Sequence, residues 1–256
     1  MKVGIIGKGV VGTAVYEGLK HIGRDVSFYD PKFEGSKLED VLDTDCIFVS
    51  VPTNQLPNGD CDTSIVESVV KELAVNQYAG LVAIKSTVVP GTAARLAKEY
   101  YPLRVCSVPE FLRAKSALAD FMYHHDLLVI GTTDIWQADL IEKIHGHLPK
   151  NVVRVSPTEA EIIKYFNNVN HSVQIIFANI FYDICKKLGA DYNAVYEAII
   201  QRECFNPAYL MCNENLRGFG GHCLPKDTSA IGNLIKNLDL GYDTINAVLK
   251  DNEKLQ

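Results

Sequence analysis

The sequence predicts an α/β protein in which a doubly wound parallel sheet precedes a helical domain built on one long helix. Three observations carry this. Short apolar runs alternate with helical stretches through the first half. A glycine-rich turn joins the first run to the first helix. From Thr158 to Leu188 there is neither Gly nor Pro. In chain order, the strands are expected at Lys2–Ile6, Asp25–Tyr29, Cys46–Val51, Leu81–Ile84, Leu103–Cys106 and Leu127–Ile130. Helices are expected between them, notably at Val10–His21, Thr63–Gln77, Thr92–Tyr100 and Asp134–His147. Alternation at this spacing implies a parallel sheet covered on both faces. The near-continuous apolar runs are those of strands buried on both sides.

The pattern changes after Val152-Val153-Arg154-Val155. Ser156-Pro157-Thr158-Glu159 reads as a helix start, with Ser at the cap, Pro in the first turn and Glu at the third position. The helix it opens runs to Gly189, a C-cap residue, and spans some 45 Å at about 1.5 Å per residue. So long a helix links domains or builds a dimer interface. A shorter helical region, a loop from Cys204 to Gly221 and further helices follow. The boundary falls near residue 155, giving domains 1–155 and 156–256.

Composition narrows the function classes. The chain has 256 residues, 25 Lys+Arg against 31 Asp+Glu, and a net charge of −6, so a uniformly basic nucleic-acid surface is not expected. No apolar run reaches the ~18–20 residues of a membrane span, and the start is too short for a signal h-region. Seven cysteines without a C-x-x-C pair argue against a disulfide framework or zinc ribbon and for a reducing cytoplasm.

Gly7-Lys8-Gly9-Val10-Val11-Gly12 follows a strand and opens a helix. Gly7 allows the tight turn, Gly9 lets the backbone approach a pyrophosphate, and Gly12 permits close helix–strand packing. The N–H groups of Gly9, Val10 and Val11 then face the phosphates at the helix N-terminus. Asp30 ends the next strand, where an acid hydrogen-bonds a ribose 2′-hydroxyl and repels a 2′-phosphate. The pattern reads as a Rossmann-type NAD site, with NAD favoured over NADP, rather than as a tight turn that binds no dinucleotide.

Gly218-Phe219-Gly220-Gly221-His222-Cys223-Leu224-Pro225-Lys226-Asp227 carries the chemistry. Pro225 suits the first turn of a helix, which puts Cys223 at a helix N-terminus, where the dipole favours thiolate. Asp227 lies one turn on, and Lys226 adds positive charge. The other six cysteines read as small buried thiols. On the long helix, Lys164 and Asn168 share a face, with Glu161 on the same side, amid apolar Ile162, Ile163, Tyr165 and Phe166.

Together these residues resemble the UDP-glucose/GDP-mannose dehydrogenase family. The matching pieces run in family order. They are Gly7–Gly12 with Asp30; Val51-Pro52-Thr53 with Gly59 and Asp62; Lys85-Ser86-Thr87-Val88-Val89-Pro90-Gly91; Pro109-Glu110-Phe111-Leu112; Glu159-Ala160-Glu161 leading to Lys164 and Asn168; and Gly218–Asp227. The resemblance implies four-electron oxidation of the C6 alcohol of a UDP-glucose-like nucleotide sugar, using NAD, in the service of polysaccharide biosynthesis. Cys223 would trap the aldehyde and carry the thioester. Lys164 and Asn168 would stabilise the oxyanion, Asp227 would take the alcohol proton, and Glu110 would serve in hydrolysis. Thr87 would hold a water or the cofactor; Thr53 and Lys226 would contact NAD. Phe111, Leu112, Arg217 and Gly220 would join Glu110, Lys164, Asn168 and Cys223 around the substrate, with Arg202 also near its phosphates. A homodimer through the long helix is implied.

Three departures from the family pattern stand out. Ala114 replaces a carboxylate that helps hold the cofactor. Pro31–Thr44 is short. The chain reads as a short form lacking the family's C-terminal nucleotide-binding domain. A two-electron β-hydroxyacid-type dehydrogenase and a catalytically silent NAD-binding paralogue are the alternatives. His124, His125, His145 and His147 read as loop or surface residues with no metal, His222 as a spacer, and Trp136 and Ile175–Phe181 as core or dimer interface.

Overall fold

The computed structural model describes residues 1–203, 205 and 207–255, so the readings of Cys204 lie outside the described residues. The chain divides into two compact units, Met1–Asn54 with Asp62–Lys164, and Gln55–Cys61 with Tyr165–Gln256. In chain order the elements are β1 (Lys2–Ile6), α1 (Val10–His21), β2 (Asp25–Tyr29), α2 (Glu39–Leu42), β3 (Cys46–Val49), α3 (Ser64–Val75), β4 (Leu81–Ile84), α4 (Thr92–Glu99), β5 (Arg104–Ser107), α5 (Ala117–Tyr123), β6 (Leu127–Gly131), α6 (Ile135–His145), β7 (Asn151–Val155), α7 (Pro157–Leu188), α8 (Tyr192–Ile199), α9 (Leu224–Asn237) and α10 (Thr244–Glu253).

The first unit is built on a seven-stranded sheet ordered β2-β1-β3-β4-β5-β6-β7. Every pairing is parallel except β5 with β6, which meet antiparallel at Ser107 and Gly131. The expected parallel sheet is present, and this one reversal was not legible: an apolar run reads the same in either direction, so periodicity does not encode polarity. β7 was not expected as a strand because it lies at the sheet edge and four of its five residues are exposed. Strand side chains alternate between two cores. Ile5 and Phe48 join Leu19, Phe121 and Ile141 on one face. Ile6, Ile47 and Val49 join Val70, Ile84 and Leu96 on the other. Each such fully buried side chain contributes about 1.5–3 kcal/mol.

His125 and His145 belong to this interior, contrary to the surface reading; they are 6% and 0% exposed. His145 sits on the inner face of α6, its Nδ1 2.8 Å from the Ile141 carbonyl and its ring against Phe48 and Phe121. Burial first, then the Lys85 charge, pushes both imidazoles below their usual range, so they act as neutral core aromatics.

Ser156 and Glu159 form the expected capping box at the start of α7: Ser156 N–H donates to Glu159 Oε2 at 2.7 Å, and Glu159 N–H to Ser156 Oγ at 3.3 Å. One turn on, Glu161 accepts N–H bonds from Gly91 (2.5 Å) and Ala93 (2.8 Å), capping α4, which has no side-chain cap of its own. Burial pushes its carboxyl up to about 7 against the pull of those N–H groups.

In the second unit, α7 from Tyr165 onward packs with α8, α9 and α10 around two small clusters. One gathers Ile176, Phe219 and Val248; the other gathers Ala178, Cys185, Tyr192, Leu210 and Cys212. The segment Gln55–Cys61 is tied to α9 by Asn233 Nδ2, which donates to Asn58 O and Asp60 Oδ1, both at 2.8 Å. No helix among the described residues is long and apolar enough to cross a membrane.

α1 packs on α5 at Gly18, where an added Cβ would lie 2.2 Å from Phe121 Cδ1. Gly18→Ala is therefore expected to destabilise by about 1–3 kcal/mol through overpacking. Urea denaturation should also show Phe121→Leu restoring part of that loss in the double variant.

Candidate active site

The first unit builds a dinucleotide cradle. Gly7 has φ +88°, and a Cβ there would lie 2.6 Å from the Ser50 carbonyl oxygen. A Cβ on Gly12 would lie 1.9 Å from Gly7 O, so only glycine lets α1 pack this closely. A Cβ on Gly9 would meet nothing within 4 Å, and no side chain caps α1. The helix end thus faces open space, lined by backbone N–H groups. Val10 is exposed and Val11 packs inward on the core. These are the features a diphosphate requires, so the residues present fit NAD. Asp30 closes the loop: Oδ2 accepts Lys8 N–H at 2.8 Å and Oδ1 accepts Lys32 N–H at 2.9 Å. The Lys8 ammonium lies over Phe28 and Tyr16, 3.8 and 4.1 Å from their ring centroids. Beside Gly9 and Val10 runs a groove of about 770 Å³ whose far wall includes Ala114, Lys115 and Ser116. Ala114 leaves that wall without the expected carboxylate.

The same unit holds Glu110, Phe111 and Lys164. Glu110 is buried, with Oε1 accepting Phe111 N–H at 2.7 Å and Oε2 lying 3.0 Å from Lys85 Nζ. Burial, the largest single influence, raises its carboxyl, but the Lys85 ammonium, with His125 and the Phe111 N–H, together hold it below the usual range, as an anion. Lys85 is the partner that sequence reasoning missed; it stood in the Lys85–Gly91 motif without a role. Lys164 Nζ lies 5.4 Å from the Phe111 ring centroid, so the structure brings Lys164 to the Glu110–Phe111 pair. Leu112 packs on the core and Thr53 is buried. Thr87 is half-buried, next to Ser86, whose Oγ donates to Val51 O at 2.8 Å.

The second unit holds the thiol. Cys223 is exposed at the N-cap of α9, and Pro225 sits in the first turn. Cys46, Cys61, Cys106, Cys185 and Cys212 are buried. Asp227 N–H donates to Cys223 O at 2.9 Å, which makes the first turn of α9. The Asp227 carboxylate, 1% exposed, accepts from Asn168 Nδ2 at 2.5 Å and pairs with Lys226 Nζ at 2.5 Å. Asn168 and Asp227 thus meet. The Lys226 ammonium is buried on Asp227 and lies 3.9 Å from Cys61 Sγ. A buried ammonium needs such a counter-charge. Below them Thr228 Oγ1 donates to Ser172 Oγ at 2.7 Å. Ser172 follows Asn168 by four residues, a spacing that could have revealed it. Arg217, expected at substrate phosphates, pairs with Asp183 at 2.7 Å, donates to Asn179 Oδ1 at 2.6 Å and lies over Tyr182. Arg202 is exposed. Gly220 and Gly221 border a hollow of about 490 Å³ with Gln55, Pro225 and Ser229. Among the described residues no cluster of His, Cys, Asp or Glu is arranged to hold a metal ion.

Comparison with known proteins matches residues 31–149 to the NAD binding domain, and residues 158–254 to the central domain, of the UDP-glucose/GDP-mannose dehydrogenase family. The chain is similar to a UDP-glucose 6-dehydrogenase of Rickettsia bellii, 31% identical over 87% of this chain and 52% of the relative. It is similar to a GDP-mannose 6-dehydrogenase of Pseudomonas aeruginosa, 32% identical over 83% of this chain and 51% of the relative. A solved UDP-glucose dehydrogenase from the archaeon Pyrobaculum islandicum superposes with a TM-score of 0.90 at 30% identity, over 99% of this chain and 68% of that one. The chain spans about half the length of the curated relatives it matches.

The buried pair at the foot of α9 makes a prediction about stability. Asp227→Ala leaves the Lys226 ammonium buried without its carboxylate and should cost about 3–5 kcal/mol, whereas Lys226→Met with Asp227→Leu should recover much of it. Urea titration followed by circular dichroism measures both.

Proposed function

The chain belongs to the UDP-glucose/GDP-mannose dehydrogenase family, and on that premise we propose that it oxidises the C6 alcohol of a UDP-glucose-like nucleotide sugar to the carboxylate, using NAD. The observation that carries this reading is the exposed Cys223 thiol one helical turn from an Asp227 carboxylate held by Asn168. Simple alcohol oxidation needs no thiol; a four-electron oxidation needs one to keep the aldehyde from leaving.

Bound NAD would supply the hydride acceptor for both oxidations. Asp227 receives the hydroxyl proton as the alcohol becomes an aldehyde. Cys223 sulfur then bonds to the aldehyde carbon, and the proton from the thiol ends on the oxygen, giving a thiohemiacetal. Lys164 and Asn168 stabilise the negative oxygen as this forms. The second oxidation, for which NAD would again be the hydride acceptor and in which the hydroxyl proton passes to solvent, leaves a thioester on Cys223. Glu110, kept anionic by Lys85, takes a proton from the water that attacks it. The C–S bond breaks, the thiolate leaves and the carboxylate is released. In this reading Phe111, Leu112, Gly220 and Arg217 border the substrate, and Thr53, Thr87 and Lys226 serve the NAD side. A reducing compartment such as the cytoplasm suits an exposed catalytic thiol.

The chain is further proposed to work as a homodimer through α7. Phe177, Ile180, Phe181, Ile184 and Leu188 on that helix are 41–78% exposed. With Val195 and Ile199 of α8, Phe177 and Phe181 line an apolar groove of about 670 Å³. Such a strip is costly in water and is met by a partner of the same kind.

Two tests follow. Across a panel of UDP- and GDP-sugars, the reading expects two NADH per sugar, no acid product from Cys223→Ala, and a thioester trapped in Glu110→Gln and seen by mass. One NADH per turnover, or activity kept in Cys223→Ala, would overturn it in favour of a two-electron dehydrogenase; no turnover across the panel would leave an NAD-binding protein without this chemistry. Light scattering should return twice the chain mass of 28.3 kDa, falling to one chain in Phe177→Glu.

A further inference from the structure

The loop that carries the thiol is held from behind by a side chain outside the motif. Asn252 lies near the end of α10 and is 5% exposed. Its carboxamide engages both backbone groups of Phe219: Oδ1 accepts Phe219 N–H at 2.6 Å, and Nδ2 donates to Phe219 O at 2.9 Å. An amide side chain thereby reads one loop residue as a neighbouring strand would.

The surrounding residues make the contact specific. Gly218 has φ +59°, and a Cβ there would lie 2.7 Å from Asn252 Oδ1, so a glycine is what lets the carboxamide reach the loop. Gly218 N–H also donates to Asn179 Oδ1 at 3.3 Å. The Phe219 ring is buried against Ile176 and Val248, with Leu224 and Leu249 beside it. Phe219 is therefore fixed through both backbone and side chain. The next two residues are the opposite. A Cβ on Gly220 or Gly221 would meet nothing within 4 Å, and Gly221 has φ +77°. Two exposed glycines, with no side chain to anchor them, lead to His222 and Cys223, and the chain is fixed again only where α9 begins. Glycine carries the largest backbone entropy of any residue, so the freedom of this span is limited chiefly by how firmly its two ends are held. One end is the first turn of α9; the other is Phe219.

We infer that Asn252 is a positioning residue for Cys223: by clamping Phe219 it anchors the Gly220–Gly221 span and confines the thiol to one place at the mouth of α9. This deepens the proposed chemistry, since it rests on Cys223 as the reacting group, but its test needs no turnover.

Hydrogen exchange by NMR and alkylation by iodoacetamide, resolved by peptide mass so that Cys223 is separated from Cys204, give the readouts. In Asn252→Ala the Phe219 amide is expected to exchange at least about tenfold faster, while the amide of Leu234 in the middle of α9 keeps its protection. The Cys223 alkylation rate should move by at least about threefold toward that of the urea-unfolded chain. Gly218→Ala disturbs the same contact from the loop side and should reproduce both shifts; it carries the test if Asn252→Ala does not fold. Asn252→Asp, which keeps the acceptor and loses the donor, should fall between. Unchanged Phe219 exchange and Cys223 alkylation in folded variants would overturn the inference. So would loss of protection in α9 in step with Phe219, or failure of both variants to fold, since a purely structural role would produce these. A turnover assay failing beside a positive exchange result would instead count against the proposed reaction.

Discussion

The pairing of the Asp227 carboxylate is the interaction on which the polar framework of the second unit depends. It is a buried anion at the foot of α9, and an isolated buried charge is not tolerated. Its two partners come from different places in the sequence: Lys226 is its neighbour, and Asn168 lies on α7. Satisfying one charge therefore ties α9 to α7 and fixes the direction in which α9 begins. Cys223, one turn earlier, inherits that direction. Thr228 and Ser172 extend the polar seam deeper between the same two helices, so the register that brings Asn168 to Asp227 is set by more than a single hydrogen bond.

The first unit solves a different problem, which is to bring backbone close to a ligand. Gly7 and Gly12 leave no room for any other residue, and Gly9 has room to spare. The first pair makes the turn and the helix contact tight; the third glycine leaves the end of α1 bare. Nearby, Lys85 and Glu110 form a buried pair in which the carboxylate stays charged despite its burial. This matters to the proposed hydrolysis, where Glu110 must accept a proton.

Much of this was legible in the residues. β1, β2, β4 and α1 have the ends the sequence suggested, because apolar runs bounded by Gly, Asp or Asn state their limits plainly. The Ser156–Glu159 cap and the Gly189 stop did the same for α7, Gly189 taking φ +71°. Cys223 and Asp227 could be placed at the start of α9 from Pro225 alone. What was not legible is what depends on contacts far apart in sequence. The reversal at β5–β6 has no periodic signature. His125 and His145 looked polar and are core. The carboxylate partners of Lys226 and Arg217, Asp227 and Asp183, were not legible either, because a cation near a buried or half-buried acid pairs with it whatever the local pattern. Asn252 gave no sign, being one polar residue on a polar helix; only its distance to Phe219 reveals it.

The distribution of sulfur has a consequence of its own. Of the six cysteines described, five are enclosed and one stands in solvent. Peroxide reaches exposed thiols first, taking them to sulfenic acid, which a neighbouring thiol can reverse, and then to forms that cannot be reversed. The five enclosed thiols are shielded by their packing. Oxidative stress would thus modify the thiol on which the proposed reaction rests while leaving the architecture standing, and damaged copies would persist as well-folded protein.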